Sequence, residues 1–375
     1  MSTAATGGRL LPTTVIGSYS VPEWLGRLKN DFYQRRISQR HLDEVHEMAI
    51  KAAVVDQQRA GLDIVSDGEL RRDNDIDYLL ARIPGVEIPH RAKADYFDYY
   101  DAVLRRPLAH DDASLCLAGD FRFVREQTDL PVKVSLTGPF SLARRIRNEA
   151  YPDQAGLVRE LARMLATEAG ELARAGATML QIDEPFLAGY PEDVELAIEA
   201  VNTVTDGADV SWTLHVCYGN RYARPLWEGH YDFLFPAVKE ANVGQLALEF
   251  ARTGDEDLGL LEQHHWDRGL GLGVIDVKTE QVESPDLVAA RIRRALRFVA
   301  PEKLVINPDC GLRHLLPDIA RAKLAAMVAG AALVRAELAQ PVAAQAPPAG
   351  PRAPEASGKT RRSGVTARPP VPSKG

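Results

Sequence analysis

The chain has 375 residues, 45% of them hydrophobic, and a formal net charge of -7. That length and apolar content suit one barrel-sized domain or two smaller ones. No apolar run is long enough for a transmembrane helix, "MSTAATGGRLLPTTV" lacks the charged-then-apolar pattern of a secretory signal, and an acidic body argues against nucleic-acid binding.

After about ten residues expected to be flexible, β-rich runs alternate with stretches at helical spacing. The expected strands are "TTVIGSY" (13–19), "DIVSDGE" (63–69), "PVKVSLTGP" (131–139) and "TMLQIDEP" (178–185). They continue with "VSWTLHVC" (210–217), "VGQLALEF" (243–250), "LGLGVIDV" (270–277) and "KLVINPDC" (303–310). Residues 41–61, 156–177 and 284–300 carry apolar residues at helical intervals, and Ser284–Pro285 reads as an N-cap followed by proline at the first helical position. A last helix is expected at about 315–338. Eight alternations place the chain in the α/β class as a (β/α)8 TIM barrel. A doubly wound open sheet competes, but no glycine-rich phosphate loop follows the first strand. The connection after the second strand, residues 70–130, is far longer than an ordinary βα loop. Rich in Tyr and Phe, it is read either as a wall or docking surface on the catalytic side, or as a small helical subdomain that only packs on the barrel.

Polar residues close nearly every expected strand: Ser18, Glu69, Thr137, Asp183, His215 with Cys217, Glu249, Asp276 and Cys310. In a barrel these ends share the rim where active sites are built. His215 and Cys217, two apart on one strand, project to the same face. With Glu249 and Cys310 they make a His, Cys, Cys and carboxylate set that suits Zn²⁺. The gaps of 32 residues to Glu249 and 61 more to Cys310 exclude the tight knuckles of a zinc finger. Such a zinc would act as a catalyst on a substrate thiol, since it stabilises a thiolate at neutral pH. Cys116, in "ASLCLAG", is read as a small buried hydrophobe. An odd, sparse set of three cysteines fits a reducing cytoplasm.

"TTVIGSY", "DGELRRD", "SLTGPFSLARR", "QIDEPFLA", "LHVCYGN", "LALEFA", "GLGVIDVKTEQVES" and "INPDCGL" occur in order from Leu11 to His314. Together they resemble the C-terminal catalytic barrel of the cobalamin-independent methionine synthases. The resemblance implies methyl transfer to homocysteine, with His215, Cys217, Glu249 and Cys310 as zinc ligands. It also implies Ser18, Glu69 and Asp183 as homocysteine contacts. Glu69 and Asp183 suit the α-ammonium, while backbone N–H groups near Gly17 and Ser18 suit the carboxylate. "GVIDVK" supplies Asp276 and Lys278 as candidate catalytic residues, Lys278 standing where long members of the family have a histidine proposed as proton donor. Those long members carry a second, N-terminal barrel that helps bind folate, to which nothing here corresponds. The expected donor is therefore a methylated corrinoid protein, with methyltetrahydrofolate as the other candidate.

Two other functions compete. Epoxyalkane:coenzyme M transferase, a relative in the same superfamily, also activates a thiol on zinc, and Lys278, Arg71 and Arg72 would suit a sulfonate. Retention of Glu69 and Asp183 favours an amino-acid thiol. A zinc-holding barrel serving only as a binding partner would not need so many acidic strand ends. From Pro341 onward, six Lys or Arg and one Glu give +5, which leaves -12 on the rest, and eight of the 24 prolines fall there. This tail is expected to be disordered.

Overall fold

Several long helices begin where a side chain satisfies a first free N–H group, as at Ser38, Asp153 and Ser284, and the strands of the main sheet are largely buried runs. The computed structural model describes residues 8–108 and 115–340. The first half contains α1 (Glu23–Tyr33), α2 (Gln39–Ala60), α3 (Asp77–Leu80), β1 (Val86–Glu87), β2 (Ala102–Leu104), α4 (Leu117–Arg125), β3 (Val134–Thr137), α5 (Pro139–Ala143) and β4 (Ile146–Asn148). The second contains α6 (Gln154–Arg174), β5 (Met179–Asp183), α7 (Val194–Thr205), β6 (Ser211–Val216), β7 (Gln245–Leu248), α8 (Leu258–Gln263), β8 (Gly269–Gly273), α9 (Pro285–Ala295), β9 (Leu304–Asn307) and α10 (Pro317–Leu338).

A six-stranded parallel sheet runs β3-β5-β6-β7-β8-β9, which makes this an α/β fold. Its register pairs Asp183 with His215, His215 with Ala247 and Leu248 with Leu272, so the carboxyl ends of successive strands emerge together. Apolar residues of α6 recur at Leu157, Leu161, Leu165, Ala169 and Leu172, all buried. Each fully buried Leu contributes roughly 1.5–3 kcal/mol. Asp153 caps this helix by accepting from Gly156 N–H at 2.7 Å, and Ser284 caps α9 by accepting from Leu287 N–H at 3.2 Å, with Pro285 at the first helical position. No helix among the described residues is long and apolar enough to cross a membrane.

The first two expected strands are reduced to single parallel bridges, Thr13 with Ile306 and Val65 with Val132. The reason is local. Pro12 has no N–H to give to a ladder, and Gly68 and Glu69, at φ +67° and +53°, turn the second segment sharply away. The hydrogen bonds at these bridges are nevertheless made. Thr14 N–H donates to Ile306 O, Ile306 N–H to Pro12 O, and Asp63 and Ile64 N–H to Thr13 O. Val65 N–H donates to Pro131 O.

Among its described residues the long connection contains two short helices and two strands rather than helices alone. Antiparallel β1 and β2 join β4, parallel to β2, in a separate three-stranded sheet. Cys116 is exposed, contrary to the expectation of burial. Its left-handed backbone, φ 64°, turns the thiol outward between buried Leu115 and Leu117. The basic tail from residue 341 lies outside the described residues.

Candidate functional site

Strand alternation carries His215 and Cys217 to one side of the end of β6, and Cys310 arrives there just beyond β9. The imidazole nitrogen and the two Sγ atoms all lie within 4.8 Å of one another, and Cys217 Sγ is 3.5 Å from Cys310 Sγ. Two sulfurs on one tetrahedral Zn²⁺ at about 2.3 Å stand about 3.8 Å apart, so the spacing fits the metal. His215 Nδ1 donates to Ala247 O at 3.0 Å, which fixes the tautomer and leaves Nε2 as an acceptor. That Nε2 is buried with no N–H or carbonyl group to satisfy it and faces the two thiols, the placement of a ligand atom suited to a cation. The two thiols share one hydrogen bond. Their mutual hydrogen bond pushes Cys217 well up and pulls Cys310 well down, against burial, with His215 adding to the fall.

Glu249 follows β7 and is fully buried, but its carboxylate stands outside the His–Cys–Cys cluster. Oε1 accepts from Lys278 Nζ at 2.9 Å and Tyr218 N–H at 3.2 Å, and Arg252 Nε lies 3.5 Å from Oε2. Lys278 is only 4% exposed, so this is a buried ion pair. Asp276 stands apart from the cavity. Its carboxylate accepts from Lys278 N–H at 2.8 Å and shapes the loop that aims the lysine.

Ser18, Glu69, Asp183, His215, Cys217 and Cys310 line one cavity. The left-handed turn at Glu69 delivers its carboxylate there, where Oε1 accepts from Ser135 Oγ at 2.6 Å. Only a glycine fits beside it: a Cβ at position 17 would overlap the Glu69 carboxylate and the Ser135 hydroxyl. Arg72 and Arg313 stand 3.5 and 3.7 Å from the Glu69 oxygens. Asp183 Oδ1 accepts from Gln181 Nε2 at 2.6 Å, and Gln181 Oε1 accepts from the buried Lys133 Nζ at 2.6 Å. Burial pushes the Asp183 carboxyl up to about 7, so a ligand ammonium there would offset a standing desolvation cost. A larger cavity of about 1090 Å³, among α1, α2 and the long connection, includes Asp73, Asp77 and His46 but none of the clustered ligands.

Sequence reasoning missed several contributors. Asp75, Phe97 and Tyr99 of the long connection line the thiol cavity, so this connection walls the site. Lys133, a lysine inside an apolar strand, and Gln181, two residues before Asp183 on the same face, carried signals that went unread. Asp309, beside Cys310, accepts from the N–H groups of Phe250, Ala251 and Arg252 at 3.0, 2.9 and 2.9 Å and so holds the loop after Glu249. Tyr231 Oη accepts from Glu249 N–H at 3.0 Å and donates to Val216 O at 2.9 Å.

The family described as "Cobalamin-independent synthase, Catalytic domain" matches residues 11–333. The chain is 38% identical over 339 residues to a methionine synthase of Thermococcus kodakarensis, covering 88% of this chain and 95% of that protein. It is 36% identical over 334 residues to a methionine synthase of Saccharolobus solfataricus, covering 88% and 96%. Among solved structures it resembles a B12-independent methionine synthase from Shewanella sp. W3-18-1 in complex with selenomethionine, with a TM-score of 0.77, 28% identity, and coverage of 88% and 99%. A Listeria monocytogenes structure at 22% identity and a TM-score of 0.68 shares the fold. With a family match spanning nearly all the described residues and a relative of this identity over most of its length, the chain belongs to the cobalamin-independent methionine synthase family, as a catalytic domain.

Proposed function

We propose that this protein is a zinc-dependent methyltransferase that forms methionine from homocysteine, taking the methyl group from a methylated corrinoid or from methyltetrahydrofolate. One observation carries the reading: the buried His215 Nε2 and two close thiols open on the same cavity as the carboxylates of Glu69 and Asp183. His215, Cys217 and Cys310 would hold the metal, with Glu249 within reach as fourth ligand once it leaves Lys278. Zinc, when bound, keeps the substrate sulfur as a thiolate at neutral pH. Glu69 and Asp183 would pair with the α-ammonium and orient the sulfur toward the ligand cluster. Asp276 fixes the loop, and Lys278 holds a positive charge against Glu249, where it is placed to neutralise charge rather than to meet the substrate. Coenzyme M fits less well, because its sulfonate would face both carboxylates.

The single hydrogen-bonded bridges at Thr13 and Val65 support a further reading, that the parallel sheet closes into an eight-stranded (β/α)8 barrel. Free thiols at the site support a reducing, cytoplasmic setting. The test is metal analysis of the purified protein followed by assay of methionine formation from homocysteine with each donor. About one zinc per chain, and turnover that disappears when Cys217 or Cys310 becomes serine while the fold persists, is the expected result. Metal-free protein that forms methionine at full rate would overturn it.

A further inference from the structure

The thiol cavity is small, about 90 Å³, and a methyl group must reach it from outside. Tyr99 and Arg221 line both this cavity and a second of about 530 Å³ next to it, to which Arg145 also contributes. Arg145 and Arg221 are both stacked on the Tyr99 ring, with guanidinium carbons 4.4 and 4.5 Å from its centroid. The two cations therefore lie within about 9 Å of each other and repel. Tyr99 itself is fixed, its hydroxyl donating to Asp75 Oδ1 at 2.8 Å.

Neither guanidinium is neutralised. Among the described residues, no carboxylate pairs with Arg145 or Arg221, although most of the half-buried arginines elsewhere have one or donate to carbonyl groups. Arg145 Nε is buried without any hydrogen-bond partner. The acidic residues of the second cavity do not serve: Asp98 caps its own turn by accepting from Asp95 N–H at 3.1 Å, and Asp101 is exposed. A protein that packs two cations on one ring and leaves their donors unused has arranged a place for an anion.

We propose that Arg145 and Arg221 form a clamp, at the mouth of the thiol cavity, for an anionic group on the methyl donor. This rests on the methyl-transfer reading above and adds the donor's chemistry to it. The clamp takes a carboxylate or phosphate through charge-assisted, planar N–H donors, with Tyr99 holding both forks in place. Arg145 lines the second cavity but not the thiol cavity, so the anion belongs to the donor rather than to homocysteine. Two donors offer such a group: a reduced folate through the carboxylates of its glutamate tail, and a corrinoid through the phosphate of its nucleotide loop.

The experiment compares the full-length protein with Arg145→Gln/Arg221→Gln and with Arg145→Lys/Arg221→Lys. Equilibrium binding of methyltetrahydrofolate with one and three glutamates, and of methylcobalamin, is measured at low and high salt. Homocysteine binding, metal content and thermal unfolding serve as controls. The expected result is binding of at least one donor that weakens with salt and falls on the order of hundredfold in the glutamine pair, with partial recovery in the lysine pair and little change in homocysteine binding. A gain from added glutamates identifies carboxylates as the anion; methylcobalamin binding alone identifies the phosphate. Unchanged donor binding in the glutamine pair, equal loss of homocysteine binding, or no donor binding to the native protein overturns the clamp. A native protein that binds a donor through this pair yet forms no methionine keeps the clamp and refutes the homocysteine reading. Methionine formation with an unaltered donor KM in the glutamine pair refutes the clamp alone.

Discussion

Replacing Lys278 with methionine separates the two partners available to Glu249. The pair is 2.9 Å apart with side chains 4% and 0% exposed, so solvent cannot take the place of the lost ammonium. Removing one member of a buried pair costs about 3–5 kcal/mol. Arg252, 3.5 Å from the other oxygen, and the Tyr218 N–H remain, which points to the lower end of that range. Metal-free Lys278→Met should therefore lose about 3 kcal/mol of unfolding stability relative to the native protein. If Glu249 is the fourth ligand, the metal supplies the missing positive charge, and most of that loss disappears in the loaded protein. By linkage the variant then binds zinc more tightly, on the order of hundredfold for about 3 kcal/mol. Urea unfolding with and without zinc gives the first quantity, and competition with a chelator gives the second. Adding Glu249→Gln closes a double-mutant cycle and should abolish the gain in affinity. Equal destabilisation of the metal-free and loaded variant, or unaltered zinc affinity, would refute the argument and leave Lys278 as Glu249's permanent partner.

Asp183→Asn should lower kcat/KM for homocysteine on the order of hundredfold while leaving zinc content unchanged, because the substrate ammonium loses a buried partner; unaltered kinetics would count against an amino-acid substrate. Cys217→Ser should release zinc at chelator concentrations that the native protein withstands, with the unfolding transition of the metal-free protein shifted little; a variant that fails to fold would show that the thiols are structural. His46 is 5% exposed, and burial, with Lys29 and Arg71 nearby, pulls its imidazole down to about 2. Below the unfolded value of about 6.5 the unfolded chain takes up a proton that the folded protein refuses, so His46 costs stability as pH falls, by about 2 kcal/mol at pH 5. His46→Leu should lack that share of the loss between pH 7 and pH 5, read from urea midpoints; equal losses in both proteins would show that His46 protonates freely when folded.

Much of this site was legible because parallel strands are nearly uninterrupted apolar runs, and a polar residue at their carboxyl ends stands out. His215, Cys217, Cys310 and Asp183 were readable for that reason; Glu69 stood out in the same way, although its segment pairs through a single bridge. The first two strands were overread because "TTVIGSY" and "DIVSDGE" have strand composition, whereas pairing depends on where Pro12 and the Gly68–Glu69 turn release the chain. Cys116 was misread through its neighbours: Leu115 and Leu117 are buried, but a left-handed residue between them breaks the pattern. The partner of Lys278 was hidden for a different reason. Its contact with Glu249 spans 29 residues and depends on how two adjacent strand ends are held, which no local pattern records.

The supports of the ligand cluster explain how its members are held close together. Three steps of parallel register carry the chain from β6 to β9, and small errors in each would accumulate before Cys310 met Cys217. The strand ends are tied across those steps. Tyr231 bonds both the Val216 carbonyl beside Cys217 and the Glu249 N–H, joining the ends of β6 and β7. Asp309, one residue before Cys310, takes three N–H groups of the segment after Glu249, joining the ends of β7 and β9. Ala247 O fixes the His215 ring from within β7. Every candidate ligand is therefore bonded to, or next to a residue bonded to, the strand end of another ligand. Such cross-ties hold reacting groups in place at no cost when the metal and substrate arrive, which is the physical content of a prepared site. They also make Tyr231 and Asp309 positioning residues: loosening either should weaken metal binding through geometry, although neither supplies a ligand atom to the cluster.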